Sequence, residues 1–216
     1  MKFDLVKRYL IMAVGLFTMT IGIALSTKAQ LGTTPISSIP FVLNIATGIS
    51  LGTYTMIFNF LLVGTQFVLL RRNFTAHHLI QIAVTFVFGI FTDISVALVS
   101  GINPDGYVMC WLLTVVSSMV LALGIFIEVS SKTSMMPGEG IVLAVSETFR
   151  LKFSKVKIAL DVTWISIAAV MSLILFGELC GVREGTVFAA VFVGLFIRAY
   201  SAIVRRVKPS EEESIS

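Results

Sequence analysis

Six predominantly apolar runs, each about twenty residues long, set what this chain can fold into. They lie at approximately 7–27, 51–71, 78–99, 108–129, 156–177 and 185–204. An α-helix needs about 20 apolar residues to cross a bilayer core. No water reaches the backbone there, so each run is expected to close its own hydrogen bonds as a helix. Composition agrees: 56% of residues are hydrophobic and only 13% are charged. A soluble domain carries about a quarter charged residues. The basic start, Lys2, Lys7 and Arg8, has the look of a signal peptide. The apolar run behind it is too long for a signal core, so it is expected to remain as the first membrane helix. The fold class expected is an all-α polytopic membrane protein with six transmembrane helices.

Two short apolar pieces, 36–46 and 138–149, interrupt this pattern. Each is too short to cross and is bounded by Pro and Gly, so each reads as a broken or re-entrant half-helix. They start at Gly32-Thr33-Thr34-Pro35-Ile36-Ser37-Ser38 and at Met135-Met136-Pro137-Gly138-Glu139-Gly140. The two places correspond. Laying Gly22 on Gly124 brings Pro35 onto Pro137, Ile39 onto Ile141 and Asn59 onto Asp161 without a gap. A small shift then lays Gly89-Ile90-Phe91 over Gly194-Leu195-Phe196. The chain therefore reads as one unit used twice, 1–102 and 103–206, with a disordered cytoplasmic tail at 207–216. Interrupted segments at matching places in two halves are the best sequence pointer to a transporter binding site.

Lys and Arg between the spans fix the expected orientation. With the N-terminus in the cytoplasm, the inner side collects thirteen basic residues, from Lys2 to Lys208. The outer side then keeps only Lys28 and Arg183. Both termini come out cytoplasmic. Each half holds three spans, an odd number, so the second half must insert upside down. Two inverted three-helix repeats are the expectation, with half-helices entering from opposite faces. The sequon Asn73-Phe74-Thr75 and the pair His77-His78 fall on the inner side and read as plain loop. The net charge of +4 reflects these orientation signals and does not point to nucleic acid. Cys110 and Cys180 lack any metal-like or redox spacing. Inert thiols are the default there, and a disulfide near the outer face is left open.

Polar residues inside spans are expensive and therefore informative. They are Asn59, Asp93, Asp161 and Arg198, each inside its own span. Counting 1.5 Å per residue puts Asp161 and Arg198 roughly 6–8 Å inside the midplane, and Asn59 and Asp93 on its outer side. Two matching pairs are expected: Asn59 with Asp93, and an ion pair of Asp161 with Arg198. Glu139 follows Pro137 at the start of the second half-helix, where the helix dipole favours a carboxylate. It either neutralises its own helix end or acts as a proton- or cation-responsive acid. Glu128, at the inner end of the fourth span, reads as an interfacial acid. In the first half Ser37 stands where Glu139 stands in the second, and Ile36 stands where Gly138 does. Thr33, Thr34, Ser37 and Ser38 thus surround a helix start without an acid. Such a start attracts anions, or simply uses hydroxyl caps. The substrate-binding or gating set expected is Thr33, Thr34, Pro35, Ser37, Ser38, Asn59, Asp93, Pro137, Gly138, Glu139, Gly140, Asp161 and Arg198. Gly181 to Thr186 reads as a turn feeding the last span, with an outer vestibule as the alternative.

Gly22 through Leu31-Gly32-Thr33-Thr34-Pro35, with Leu51-Gly52-Thr53 following, resembles the first-repeat signature of the bacterial YczE/YyaS/YitT membrane proteins. Pro137-Gly138-Glu139-Gly140, the spacing of Lys157 to Asp161, and Gly185-Thr186 resemble the second. Ile36 and Ser37 depart from the aromatic and acid common after the first proline, and Lys157 and Asp161 from Arg and Glu. The resemblance implies a bacterial plasma-membrane protein and little chemistry.

The sequence carries no phosphate loop, zinc-protease helix or nucleophile elbow, and an enzyme is not expected. No cofactor is called for. The expected partners are the lipid bilayer and a small-molecule or ion substrate, with a homodimer left open. The expected function is a small secondary transporter or permease for a polar solute, anionic or zwitterionic, working by alternating access. A substrate-capture subunit of a larger importer and a non-transporting regulatory membrane protein are the alternatives.

Overall fold

A computed structural model describes residues 2–71 and 76–207, with side chains from 5 to 71 and from 80 to 204. The sequon, His77, His78 and the tail beyond 207 lie outside those described residues or side chains. Among the described residues the chain forms eight helices and no strand. They are α1 Lys2–Lys28, α2 Pro35–Thr47, α3 Leu51–Leu70, α4 Ala76–Leu98, α5 Tyr107–Ser130, α6 Pro137–Phe149, α7 Phe153–Phe176 and α8 Glu184–Val207. All except α2 and α6 are long and apolar enough to cross a membrane. α2 and α6 have thirteen residues each, and both begin on a proline. Proline suits that place because its missing N–H would have no helical partner.

α1 and α5 cross at the centre. A Cβ on Gly15 would stand 2.6 Å from the Glu128 backbone nitrogen, and one on Gly22 would stand 2.6 Å from that of Leu121. A Cβ on Gly124 would collide in turn with the backbone of Met19. The last two contacts are reciprocal: Gly22 corresponds to Gly124, and Met19 to Leu121. Only glycine lets two helix backbones come this close. Met12, Leu16, Met19, Ile23 and Leu121 fill the seam and join Leu51, Val84, Phe88 and Met136 in the main core.

The remaining helices pack around this pair in matched fashion. α4 lies on α1 as α8 lies on α5, and α2 lies on α7 as α6 lies on α3. One match fails. α3 and α4 are closely packed, whereas α7 and α8 make at most glancing contact among the described residues. Gly52 and Gly89 carry the α3–α4 crossing, and a side chain on either would strike the other helix. Gly194, the counterpart of Gly89, has nothing within 4 Å of where a Cβ would stand.

The turn between α7 and α8 is pinned to the linker between α1 and α2. Gly185 N–H donates to Leu31 O at 2.8 Å, and Thr33 N–H donates to Gly181 O at 3.3 Å. Gly32 has φ +90, and a Cβ there would collide with Thr186 Oγ1. This turn is a fastening, not the vestibule the sequence left as an alternative. It joins α7 and α8 at one end, so their gap opens at the other, toward the start of α7 and the end of α8. Cys110 and Cys180 are both free thiols, so the disulfide left open above is absent.

Candidate functional site

The start of α2 and the start of α6 meet in the middle of the protein. A Cβ on Gly138 would collide with Cδ1 of Ile36. Ile36 and Gly138 are counterparts in the alignment of the two halves, so each half touches the other at the same position. A cavity of about 310 Å³ opens beside this meeting point. Its walls come from both half-helix starts, from α3, and from the separated helices α7 and α8. Apolar side chains dominate, among them Phe58, Leu121, Ile125 and Val193. The polar wall is small: Thr34, Ser37, Thr55, Asn59, Glu139, Lys157 and Asp161. A mostly apolar cavity with a few convergent polar groups is the usual form of a small-molecule site.

The acidic end of the cavity is built by α6 and α7. Glu139 is the only acid in the first turn of α6. It is enclosed by protein and keeps some accessible surface, which belongs to the cavity wall. Lys157 and Asp161 lie within electrostatic reach of it. Those two residues, one turn apart on α7, form an ion pair with Lys157 Nζ 2.8 Å from Asp161 Oδ1. The i,i+4 spacing allows this because such positions are neighbours on a helix surface.

The adjoining wall is built by α2 and α3. α2 has no acid in its first turn. Its N-cap, Thr34, makes no side-chain capping bond. Thr55 and Asn59 face the same space from α3, one turn apart. The Thr34 and Thr55 hydroxyl oxygens are both buried without a hydrogen-bond partner among the described residues. Orphan hydroxyls of this kind cost free energy unless something else bonds to them.

Of the residues expected at the site, Thr34, Pro35, Ser37, Asn59, Gly138, Glu139 and Asp161 line the cavity. The others are placed elsewhere. Thr33 Oγ1 lies 2.7 Å from Ser26 Oγ and fastens the linker. Ser38 Oγ donates back to the carbonyl oxygens of Thr34 and Pro35. The Pro137 carbonyl accepts from Gln66 Nε2 at 3.2 Å, and Gly140 faces the amides of Gln66 and Gln81.

Both expected polar pairs are corrected. Asp93 is not paired with Asn59. It accepts from Ser50 Oγ at 2.8 Å and from the Gly52 N–H at 2.7 Å, so it clasps the start of α3. Asp161 is paired with Lys157, and Arg198 lies exposed on α8 beside Ser201 and Ala202. Equal depth along two helices does not make two side chains face each other. Glu128 is also moved: it is buried in α5 near the Met136 amide, not interfacial.

Sequence reasoning marked the spacing of Lys157 to Asp161 but counted Lys157 among the inner orientation charges, and so missed it as a cavity residue. It also missed Gln66, which is fully buried in the middle of the bundle. An amide in a span was a signal for Asn59, and the same signal was present at Gln66.

No curated protein and no solved structure matches this chain. A family model does match it, over residues 6–202, that of a family of unknown function, DUF6198. With the match running through all six candidate spans and both half-helices, this helical membrane protein belongs to DUF6198.

Proposed function

We propose that the protein is a small secondary transporter whose two halves form an inverted repeat, and that the cavity is its solute site. The single observation that carries the reading is the failed match between the halves. α3 and α4 are clasped, while their counterparts α7 and α8 stand apart over the cavity. Alternating access needs two such gates of which one is closed at a time. The clasp lies at the start of α3 and the end of α4; the gap lies at the start of α7 and the end of α8. In the orientation set by Lys and Arg, the first is the outer end and the second the cytoplasmic end. The structure is then read as an inward-open state of a plasma-membrane protein with both termini inside. The bacterial resemblance given by the Pro35 and Pro137 motifs belongs to this proposal.

The test uses distances rather than a solute. Spin labels at Ile57 and Ile90 report the α3–α4 gate, and labels at their counterparts Ala159 and Leu195 report the α7–α8 gate. All four positions are exposed. Asp93→Ala removes the acceptor of two donors at the outer clasp, which costs the inward-open state about 1–3 kcal/mol. The expected result in lipid nanodiscs is a wider 57–90 distance and a narrower 159–195 distance in the variant. Identical distributions for both pairs, in wild type and variant alike, would remove the case for two gates.

A further inference from the structure

We infer that the cavity takes a small zwitterion with an apolar body, its carboxylate at the start of α2 and its ammonium at Glu139. α-Amino acids with aliphatic or aromatic side chains are the chemical class. The inference rests on the cavity being the solute site proposed above, and it names what that site recognises.

The two ends of the cavity differ in what they lack. At the start of α2 Pro35 carries no N–H and the Ser37 N–H donates to Thr34 O at 3.1 Å, so the Ile36 N–H is the first-turn donor left without a helical acceptor, and no acidic side chain supplies one. Two hydroxyl-bearing residues, Thr34 and Thr55, line the same space. Thr34 is 5% exposed and Thr55 is 6% exposed, and neither oxygen has a partner among the described residues. A free backbone N–H at a helix start beside two unsatisfied hydroxyls offers the donors that a carboxylate accepts from. At α6 the same location is already filled by Glu139, so a second anion would be repelled there. Lys157, 2.8 Å from Asp161 and within electrostatic reach of Glu139, is one cation against two acids in the cavity wall, which leaves one negative charge uncompensated there. An ammonium group satisfies it.

Ile36 and Gly138 touch, so the donor end and the acidic end lie next to each other. That closeness favours charges borne on one carbon over charges at opposite ends of a long molecule. The rest of the wall, with Phe58, Leu121 and Val193, suits an apolar side chain. The volume of about 310 Å³ has room for a solute of this size.

The experiment is equilibrium binding of radiolabelled L-leucine to the purified full-length protein in nanodiscs, with unlabelled competitors. L-Leucine and L-phenylalanine are expected to compete. Leucinamide lacks the carboxylate, and 4-methylpentanoate lacks the ammonium group. Each is expected to be at least about tenfold weaker, as the loss of a charge-assisted hydrogen bond implies. Thr34→Val keeps the shape of the side chain and removes no capping bond; it should weaken leucine about tenfold without lowering the apo melting temperature. Glu139→Gln should weaken leucine and leave 4-methylpentanoate no weaker. Leucinamide binding as well as leucine would overturn the α2 assignment, and 4-methylpentanoate doing so would overturn the Glu139 assignment. Absence of binding by both amino acids overturns the whole inference. The Asp93→Ala distances are independent of it: gates that move without leucine binding leave the transporter reading standing alone. Leucine binding with gates that never move leaves the site and removes the transporter.

Discussion

Glu139 places a carboxyl group at the start of a thirteen-residue helix, and the helix dipole there favours its ionised form. Its counterpart Ser37 begins an equal helix with no charge at all. The same backbone device is thus filled in one half and vacant in the other. Glycine matters just as locally. At Gly22 and Gly124 an added methyl group would meet backbone of the facing helix, which cannot move aside as a side chain can. Gly22→Ala and Gly124→Ala should each destabilise the protein by about 1–3 kcal/mol. Gly64→Ala is the control, since nothing lies within 4 Å of its Cβ position. Thermal unfolding in detergent should show a lowered midpoint for the first two and an unchanged or raised one for the third. At this scale the sequence was only partly legible. It picked out Asn59, Asp93, Asp161 and Arg198 as costly, yet mispaired them. Residue counting yields depth along a helix and says nothing about the direction a side chain faces.

Helices were far more legible than their contacts. The interruptions are written in Pro and Gly, and α2 and α6 start on the two prolines at 35 and 137. The six long runs were found within a few residues of their ends because a bilayer-length helix needs a length no other element shares. What could not be read was which helices lie outermost. Half of the apolar window of α1 is buried inside the protein, against 6% for α8, though both runs are equally apolar. Hydropathy does not separate a lipid neighbour from a protein neighbour. α8 is therefore the element freest to move, and Gly194 is where its movement would be stopped. If α8 closes on α7 as α4 closes on α3, Gly194 takes the place Gly89 has now, where no side chain fits. Gly194→Ala should leave thermal stability unchanged and hold the α7–α8 gate open. Labels at Ala159 and Leu195 should then report only the wide distance.

For the molecule as a whole, the proposed transport cycle makes the two gates two ends of one equilibrium. Asp93→Ala raises the free energy of the state with α3 on α4, and Gly194→Ala raises that of the state with α7 on α8. Their effects on the balance oppose each other, and the two sites share no contact partner. Independent sites add. The double variant should therefore return the label distances toward the wild-type distribution while being less stable than either parent against unfolding. A protein with one rigid arrangement would show no such cancellation. The meeting of Ile36 with Gly138 bears on how two like halves can share a centre at all. A position that faces its own duplicate has room for one side chain only. Two isoleucines there would overlap, and two glycines would leave a hole. Whichever half holds the larger residue obliges the other to give it up, so at the one spot where the halves are most equivalent in position they are compelled to be unlike in chemistry.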